Sequence, residues 1–472
     1  MTETLRTDYL IVGAGAMGMG FADTMLTDGS ADMIIVDREI APGGHWNHAY
    51  PFVTLHQPSA YYGVNSRELG SRSFATSGFN AGLEEMATGR EIQEYYRAVM
   101  DQTFLPSGRV RYFPRSEYVG DGLIRSLDDG TETQINARTL VDGTWLKTTV
   151  PATHTPNFTV DDGVRFMPLN DLPDLKREAD RYVIIGGGKT GIDACLWLLE
   201  TGTPPDRITW IVSRDGWLLN RRNAQPHPDF FFETMGTVAN QFEAISTASS
   251  IDDMYDRLEA CGYFLRLDPA VRPTMFHAAT VSEAELEALR KIKHVIRMGK
   301  VTHIDTDQIV LTEGILPTTP GTVNVDCSAS AIQNLETAPI FQDGRITLQT
   351  VRSYQPAFSA AMIGYVETTD RDQAEKNRLC GVVPLPNHDT DFPRFTAAFM
   401  LNQYNWGQQE DIRAWMRRSR LDGFTAQTQS AKEDPERQAV MERIKAASFA
   451  AVGKLQKFMA QLDKDHSVPR NT

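Results

Sequence analysis

Two glycine runs hold the residues of this 472-residue chain whose types and spacing most directly imply chemistry. One is Gly13-Ala14-Gly15-Ala16-Met17-Gly18, the other Gly186-Gly187-Gly188-Lys189-Thr190-Gly191. Each follows a short apolar run, Tyr9–Val12 or Tyr182–Ile185, and each opens a segment of helical character. In such a pattern the first glycine allows a tight turn. The second lets backbone approach a pyrophosphate, and the third lets the helix pack on the strand. The helix start then offers free N–H groups and a positive dipole end to phosphate. Ala16 and Met17 stand in that first turn in one copy, Lys189 and Thr190 in the other. Lys189 does not make a P-loop, because the glycine-to-lysine spacing differs. Two such loops imply two nucleotide cofactors in one polypeptide, with electrons passing between them.

What stands at the end of the next strand separates the two sites. After Met33–Val36 comes Asp37, followed by Arg38, at the distance expected of an acid that accepts from ribose hydroxyls. Its charge repels a 2′-phosphate, so the first site suits FAD or NAD. After Ile208–Val212 come Ser213 and Arg214. These suit a 2′-phosphate, which arginine can hold bidentately, and NADPH is favoured over NADH. Asp215 works against that choice.

The segment Pro42-Gly43-Gly44-His45-Trp46, then Tyr50-Pro51, then Gln57-Pro58-Ser59-Ala60-Tyr61, resembles the flavin-containing and Baeyer–Villiger monooxygenase superfamily in motif order and spacing. With both fingerprints the resemblance covers about the first 215 residues. It implies FAD in the first site, with Gly43, Gly44, His45 and Trp46 along the flavin. It implies that His56 and Gln57 stand beside the reacting edge, as the candidate catalytic groups. It also implies that the helix opened by Gln355 and Ser359 presents its N-terminus to the flavin. The chain departs from the pattern in places. Phe52 replaces a glycine, His56-Gln57 replaces an acid, and the histidine and aromatic residue expected after Phe158 are missing. The resemblance therefore implies a divergent branch. Its reaction is expected to be NADPH-consuming oxygenation of a small, mostly apolar organic substrate by O2 through a C4a-(hydro)peroxyflavin. A flavin-dependent oxidase, reductase or halogenase on the same scaffold, and a nucleotide-binding sensor without turnover, remain open.

The elements that must position these residues read as an α/β protein with two Rossmann-like dinucleotide-binding domains. Residues 1–175 and 331–400 are expected to form the FAD-binding domain. Residues 176–330 form the NADPH-binding domain, with a helical insertion at about 224–296, and 401–472 form a helical C-terminal extension. Strands at 109–128 and 134–141 read as a meander joined by Gly120-Asp121-Gly122 and Asp128-Asp129-Gly130 turns.

A formal charge of −14 argues against nucleic acid or an anionic membrane as partner. No apolar stretch is long enough to span a bilayer. The four cysteines lie far apart without a Cys-x-x-Cys, so reduced thiols in a cytoplasmic enzyme are expected. His45 and His48 have no third ligand placed beside them, and no metal is expected.

Overall fold

The computed structural model describes residues 3–177, 179–329 and 336–467. The chain opens with β1 (Glu3–Val12), α1 (Ala16–Asp28) and β2 (Met33–Val36), followed by α2 (Gly89–Val99). Next come β3 (Val110–Phe113), β4 (Ser116–Gly120), β5 (Leu123–Ser126) and β6 (Glu132–Asp142). β1 is central and parallel to both β2 and β6, with Val12 opposite Val36 on one side and Asp142 on the other. All four residues of β2 are buried, so it needs a neighbour on its outer edge. β3 supplies one by pairing in parallel. Val110–Phe113 thus belongs to the main sheet, and the meander starts only at β4.

The second unit runs β7 (Thr159–Val160), β8 (Phe166–Pro168), β9 (Arg181–Ile185), α3 (Lys189–Glu200) and β10 (Ile208–Ile211). Then follow β11 (Leu218–Asn220), α4 (Phe231–Thr247), α5 (Ile251–Ala260), β12 (Phe264–Leu265), β13 (Thr280–Val281) and α6 (Glu283–Leu289). It closes with β14 (His294–Ile296), β15 (Val301–Ile304), β16 (Gln308–Leu311), β17 (Gly314–Pro317) and β18 (Thr322–Asp326). Its parallel sheet has the order β14-β10-β9-β18-β8, and β7 joins β15–β17 in a smaller sheet. β7 and β8 precede residue 176 yet pair with β15 and β18. The second unit therefore reaches back into the connection that sequence had given to the first. β14 lies inside 224–296 but belongs to the main sheet of this unit, so the insertion proper ends before it.

β19 (Phe341–Gln342) and β20 (Arg345–Thr347) bring the chain back to the first sheet, where β20 pairs in parallel with β6. α7 (Pro356–Glu367) follows, then α8 (Gln373–Leu379), α9 (Phe392–Gly407), α10 (Glu410–Arg418), α11 (Gly423–Ser430) and α12 (Pro435–Ser467). The strand that leads into each glycine loop, β1 in one parallel sheet and β9 in the other, is central, and strand order reverses beside it. That is the crevice where open α/β sheets bind ligands.

α7 reaches the crevice because it crosses α1 at small residues. A Cβ on Gly20 would stand 3.3 Å from the Ala357 carbonyl oxygen and from Ala360 Cβ. α12 lies along α4 and α9, tying the C-terminal helices to the insertion. No helix among the described residues is long and apolar enough to cross a membrane.

Candidate functional site

The first loop turns at the end of β1. A Cβ on Gly18 would stand 1.9 Å from the Gly13 carbonyl oxygen, and one on Gly13 would stand 3.0 Å from Thr144 Cγ2. Gly15 differs, because its nearest neighbour would be Gly44 Cα at an ordinary 3.6 Å. The protein's own packing demands the outer glycines and leaves the middle one free. Ala16 is half-buried and Met17 buried on the first turn of α1. No side chain caps that helix, whereas Thr88 and Glu91 form a full capping box on α2. The first N–H groups of α1 thus lack a side-chain partner.

Asp37 closes β2 beneath this loop. Its carboxylate accepts from the Ala14 N–H and, at 2.8 Å, from the Glu39 N–H. Burial raises its pKa. Arg38 turns outward to Glu117, 2.8 Å away. Gly43 and Gly44, with φ of +124° and +57°, turn their backbone onto the loop in a way that side-chain-bearing residues rarely adopt. The Gly43 N–H donates to the Ala14 carbonyl at 2.9 Å. Trp46 is buried, and its indole N–H donates to the Tyr62 hydroxyl at 2.7 Å. His45 lies against the Trp46 ring, and burial pushes its pKa down to about 4. His48 faces the Glu39 carboxylate at 2.8 Å.

The second loop repeats the first. A Cβ on Gly191 would stand 2.0 Å from the Gly186 carbonyl oxygen, and one on Gly186 would stand 2.3 Å from that of Cys327. A Cβ on Gly188 would meet nothing within 4 Å. α3 starts here without a side-chain cap, with Lys189 and Thr190 half-buried in its first turn. Lys189 is ion-paired with Asp193. At the strand end Ser213 is exposed, and Arg214 donates to Asn387 Oδ1 at 3.0 Å. Asp215 points away into Arg297, which holds it at 2.7 and 3.0 Å. The acid that opposed a 2′-phosphate is thereby neutralised. Arg221, also basic and nearby in sequence, is buried and bonded to Glu285, Asn80 and the Thr280 carbonyl.

The segment after Trp46 joins the two loops. The Tyr50 hydroxyl donates to Asp193 at 2.6 Å, and Phe52 stacks on Trp197 with ring centroids 5.0 Å apart. Phe52, a departure from the family pattern, thus has a packing role. The His56 carbonyl accepts from Arg221 at 3.0 Å. Burial holds the His56 imidazole well below its ordinary pKa, and the nearby charges of Lys189 and Arg221 add to this. His56 is therefore neutral at neutral pH. The Gln57 amide donates to the Tyr354 carbonyl at 2.6 Å, beside the start of α7.

Gln355 is buried at the N-cap of α7 and provides no side-chain cap. Ser359 does not face this crevice in any useful way. Its hydroxyl accepts from the Val351 and Arg352 N–H groups at 3.1 Å and donates to the Gln355 carbonyl at 2.8 Å. It shapes the loop instead of offering a ligand contact. The sequence reading missed Arg352 and Asp422, a fully buried ion pair at 2.6 Å with the guanidinium over the Phe358 ring. Their separation along the chain left no local signal.

A cavity of about 160 Å³ opens beside Gln57 and Gln355. It is walled by the segment carrying Tyr61, β11 and the residues after it, the insertion, the Ser353–Gln355 loop before α7, α9 and the start of α11. Elsewhere, on the smaller sheet, Asp161, His303 and Asp305 converge closely enough to hold a metal ion, far in sequence from both loops.

No family model matches the chain. Rv2000, an uncharacterized protein of Mycobacterium tuberculosis, is 46% identical to it over 421 residues, covering 89% of this chain and 78% of that protein. Among solved structures, an open form of cyclohexanone monooxygenase is 14% identical with a TM-score of 0.48, covering 80% of this chain and 92% of that one. A flavin-containing monooxygenase from Stenotrophomonas maltophilia is 13% identical with a TM-score of 0.40, covering 87% and 99%.

Proposed function

The chain belongs to the same family as this uncharacterized mycobacterial protein, and because that membership carries no activity with it, we propose from its own geometry that it is an FAD- and NADPH-dependent oxidoreductase. The observation that carries the proposal is the shared pattern of the loops. In both, the outer glycines are fixed by protein atoms, while Gly15 and Gly188 are not crowded by any. A glycine that its own fold does not require is explained by a ligand backbone approaching it closely. We assign FAD to the first loop, with Asp37 toward the ribose and the Gly43–Trp46 turn along the cofactor. NADPH goes to the second loop, with Ser213 and Arg214 toward the 2′-phosphate. The FAD unit comprises the first sheet with α7, and the NADPH unit runs from about 159 to 329. The 330/331 boundary read from sequence falls outside the described residues.

Bound FAD would supply hydride acceptance and oxygen activation. The chain's own residues bind, orient and exclude water. Lys189, held by Asp193, lies in the first turn of α3 beside the loop that would cradle the pyrophosphate. Neutral His56 and the anchored Gln57 amide line the approach without adding charge. The uncapped start of α7 at Gln355 offers a positive dipole end to developing negative charge.

The finer reading is monooxygenation. Substrate, O2, NADPH and a proton become oxygenated product, water and NADP+, with the substrate in the cavity beside Gln57. One observation favours a second reading, an NADPH oxidase or reductase. Where the monooxygenase histidine motif would lie, β7 and β8 instead join the second unit, and Phe158 packs edge-on against Phe166. Purified protein should be yellow, bleach with NADPH under nitrogen and recover in air. A colourless protein that no FAD reconstitutes would end the proposal. Hydrogen peroxide equal to NADPH consumed, with every candidate substrate, would select the second reading.

A further inference from the structure

The cavity beside Gln57 has a chemical bias of its own. It is lined without a single Asp, Glu, Lys, Arg or His side chain. Phe242, Phe395, Phe399 and Phe424 supply ring faces and edges to its wall. Moving an ion from water into such a space carries a large desolvation cost, because no counter-charge is present to offset it. Of the buried charges close to its wall, Arg352 and Asp422 are paired with each other, and Glu84 lies near Tyr61 outside the lining.

Several hydroxyls in the lining are left without work, those of Ser353, Tyr354 and Thr396 fully buried among them. Tyr61 is only 5% exposed and lines the cavity, and its hydroxyl has no hydrogen-bond partner among the described residues. Thr237, on α4, is 8% exposed and equally unpartnered. Gln241, one helical turn further along α4, lines the same face. Buried hydroxyls are ordinarily satisfied, so unpartnered ones on a cavity wall mark where a ligand's polar atoms belong. Burial, with the nearby Glu84 and Asp422, holds the Tyr61 phenol above its ordinary range, so it is a neutral donor.

We propose that this cavity binds an uncharged aromatic molecule bearing a hydroxyl or carbonyl oxygen, a phenol or an aryl ketone, through the Tyr61 and Thr237 hydroxyls, and that it rejects ammonium and carboxylate analogues. The walls come from the FAD unit, the insertion and the C-terminal helices together, so the insertion and extension complete a substrate site. The inference rests on the flavoenzyme reading for the ligand's fate, and on the cavity alone for its binding.

Calorimetric titration of the full chain with 2-naphthol, 2-naphthoate and 2-naphthylmethylammonium tests it. 2-Naphthol should bind saturably, and the two ions roughly a hundredfold more weakly. Tyr61→Phe and Thr237→Val should each weaken 2-naphthol roughly fivefold at unchanged melting temperature, and Thr237→Ser should restore binding. Equal affinity for all three probes, no saturable binding of 2-naphthol, or wild-type affinity in both hydroxyl-deleted variants overturns the proposal. Binding by a protein that NADPH cannot bleach would sink the flavoenzyme reading and keep the cavity. Bleaching without 2-naphthol binding would do the reverse.

Discussion

At the scale of single residues, neighbouring glycines of one loop do different work. A methyl at Gly191 would collide with the Gly186 carbonyl, so Gly191→Ala should cost about 1–3 kcal/mol of stability, read from denaturant midpoints. A methyl at Gly188 meets nothing, so Gly188→Ala should keep its midpoint and lose NADPH affinity about tenfold or more. Unchanged NADPH binding in Gly188→Ala would remove the argument for a ligand at that loop. Arg214 is the second test. Arg214→Ala should raise the KM for NADPH about tenfold while leaving that for NADH nearly unchanged. A parallel loss for both would mean that Arg214 does not read the 2′-phosphate. Protonation gives a third. His45, with a folded pKa of about 4, and His56 are both held below the ordinary value near 6.5. Above about pH 6.5 both are neutral, folded or unfolded. As pH falls from there toward 4, the unfolded chain binds protons that the native state refuses, so stability must fall. A His45→Asn variant should show a shallower decline in urea midpoint across that window, and an identical slope would contradict the assignment.

At the scale of elements, what sequence made legible was whatever lies within one strand–turn–helix unit. Tyr9–Val12 with Gly13–Gly18, and Tyr182–Ile185 with Gly186–Gly191, carry their strand, turn and helix in adjacent residues, and the structure has β1–α1 and β9–α3 there. Pairing across the chain was not legible. Val110–Phe113 reads as part of a meander, but its partner is chosen by the buried outer edge of β2. Asp215 reads as a charge at the strand end, but Arg297 takes it. The cavity draws on residues from 57 to 424, and no local pattern contains it. The crossing of α1 and α7 yields a prediction of its own kind. The crossing has no room to spare, since even a Cβ added at Gly20 would stand only 3.3 Å from Ala360 Cβ. Ala360→Leu should force the helices apart, cost about 1–3 kcal/mol in urea titration, and pull the start of α7 off the crevice. A full-strength flavin spectrum and wild-type midpoint in that variant would show that the crossing does not set the helix position.

At the scale of the whole molecule, the two units meet where Tyr50 and Phe52 lie against α3. Tyr50→Phe removes one hydrogen bond without changing shape, so the expected loss is about 1 kcal/mol. Faster amide exchange should be confined to 48–53 and the first turns of α3, and exchange spread evenly over both sheets would mean that this contact does not act locally. The order of the chain has a different consequence. β6 ends at Asp142, but its outer partner, β20, is not reached until Arg345. During synthesis the Leu140–Asp142 end of β6, beyond the stretch that β5 covers, therefore waits with an open hydrogen-bonding edge while the entire second unit is made. At about 5–20 residues per second that wait lasts on the order of 10–40 seconds. An unpaired edge is a template for a neighbouring nascent chain. The same return strand that completes the first crevice leaves the newborn protein most vulnerable to aggregation while residues 143–344 are being made.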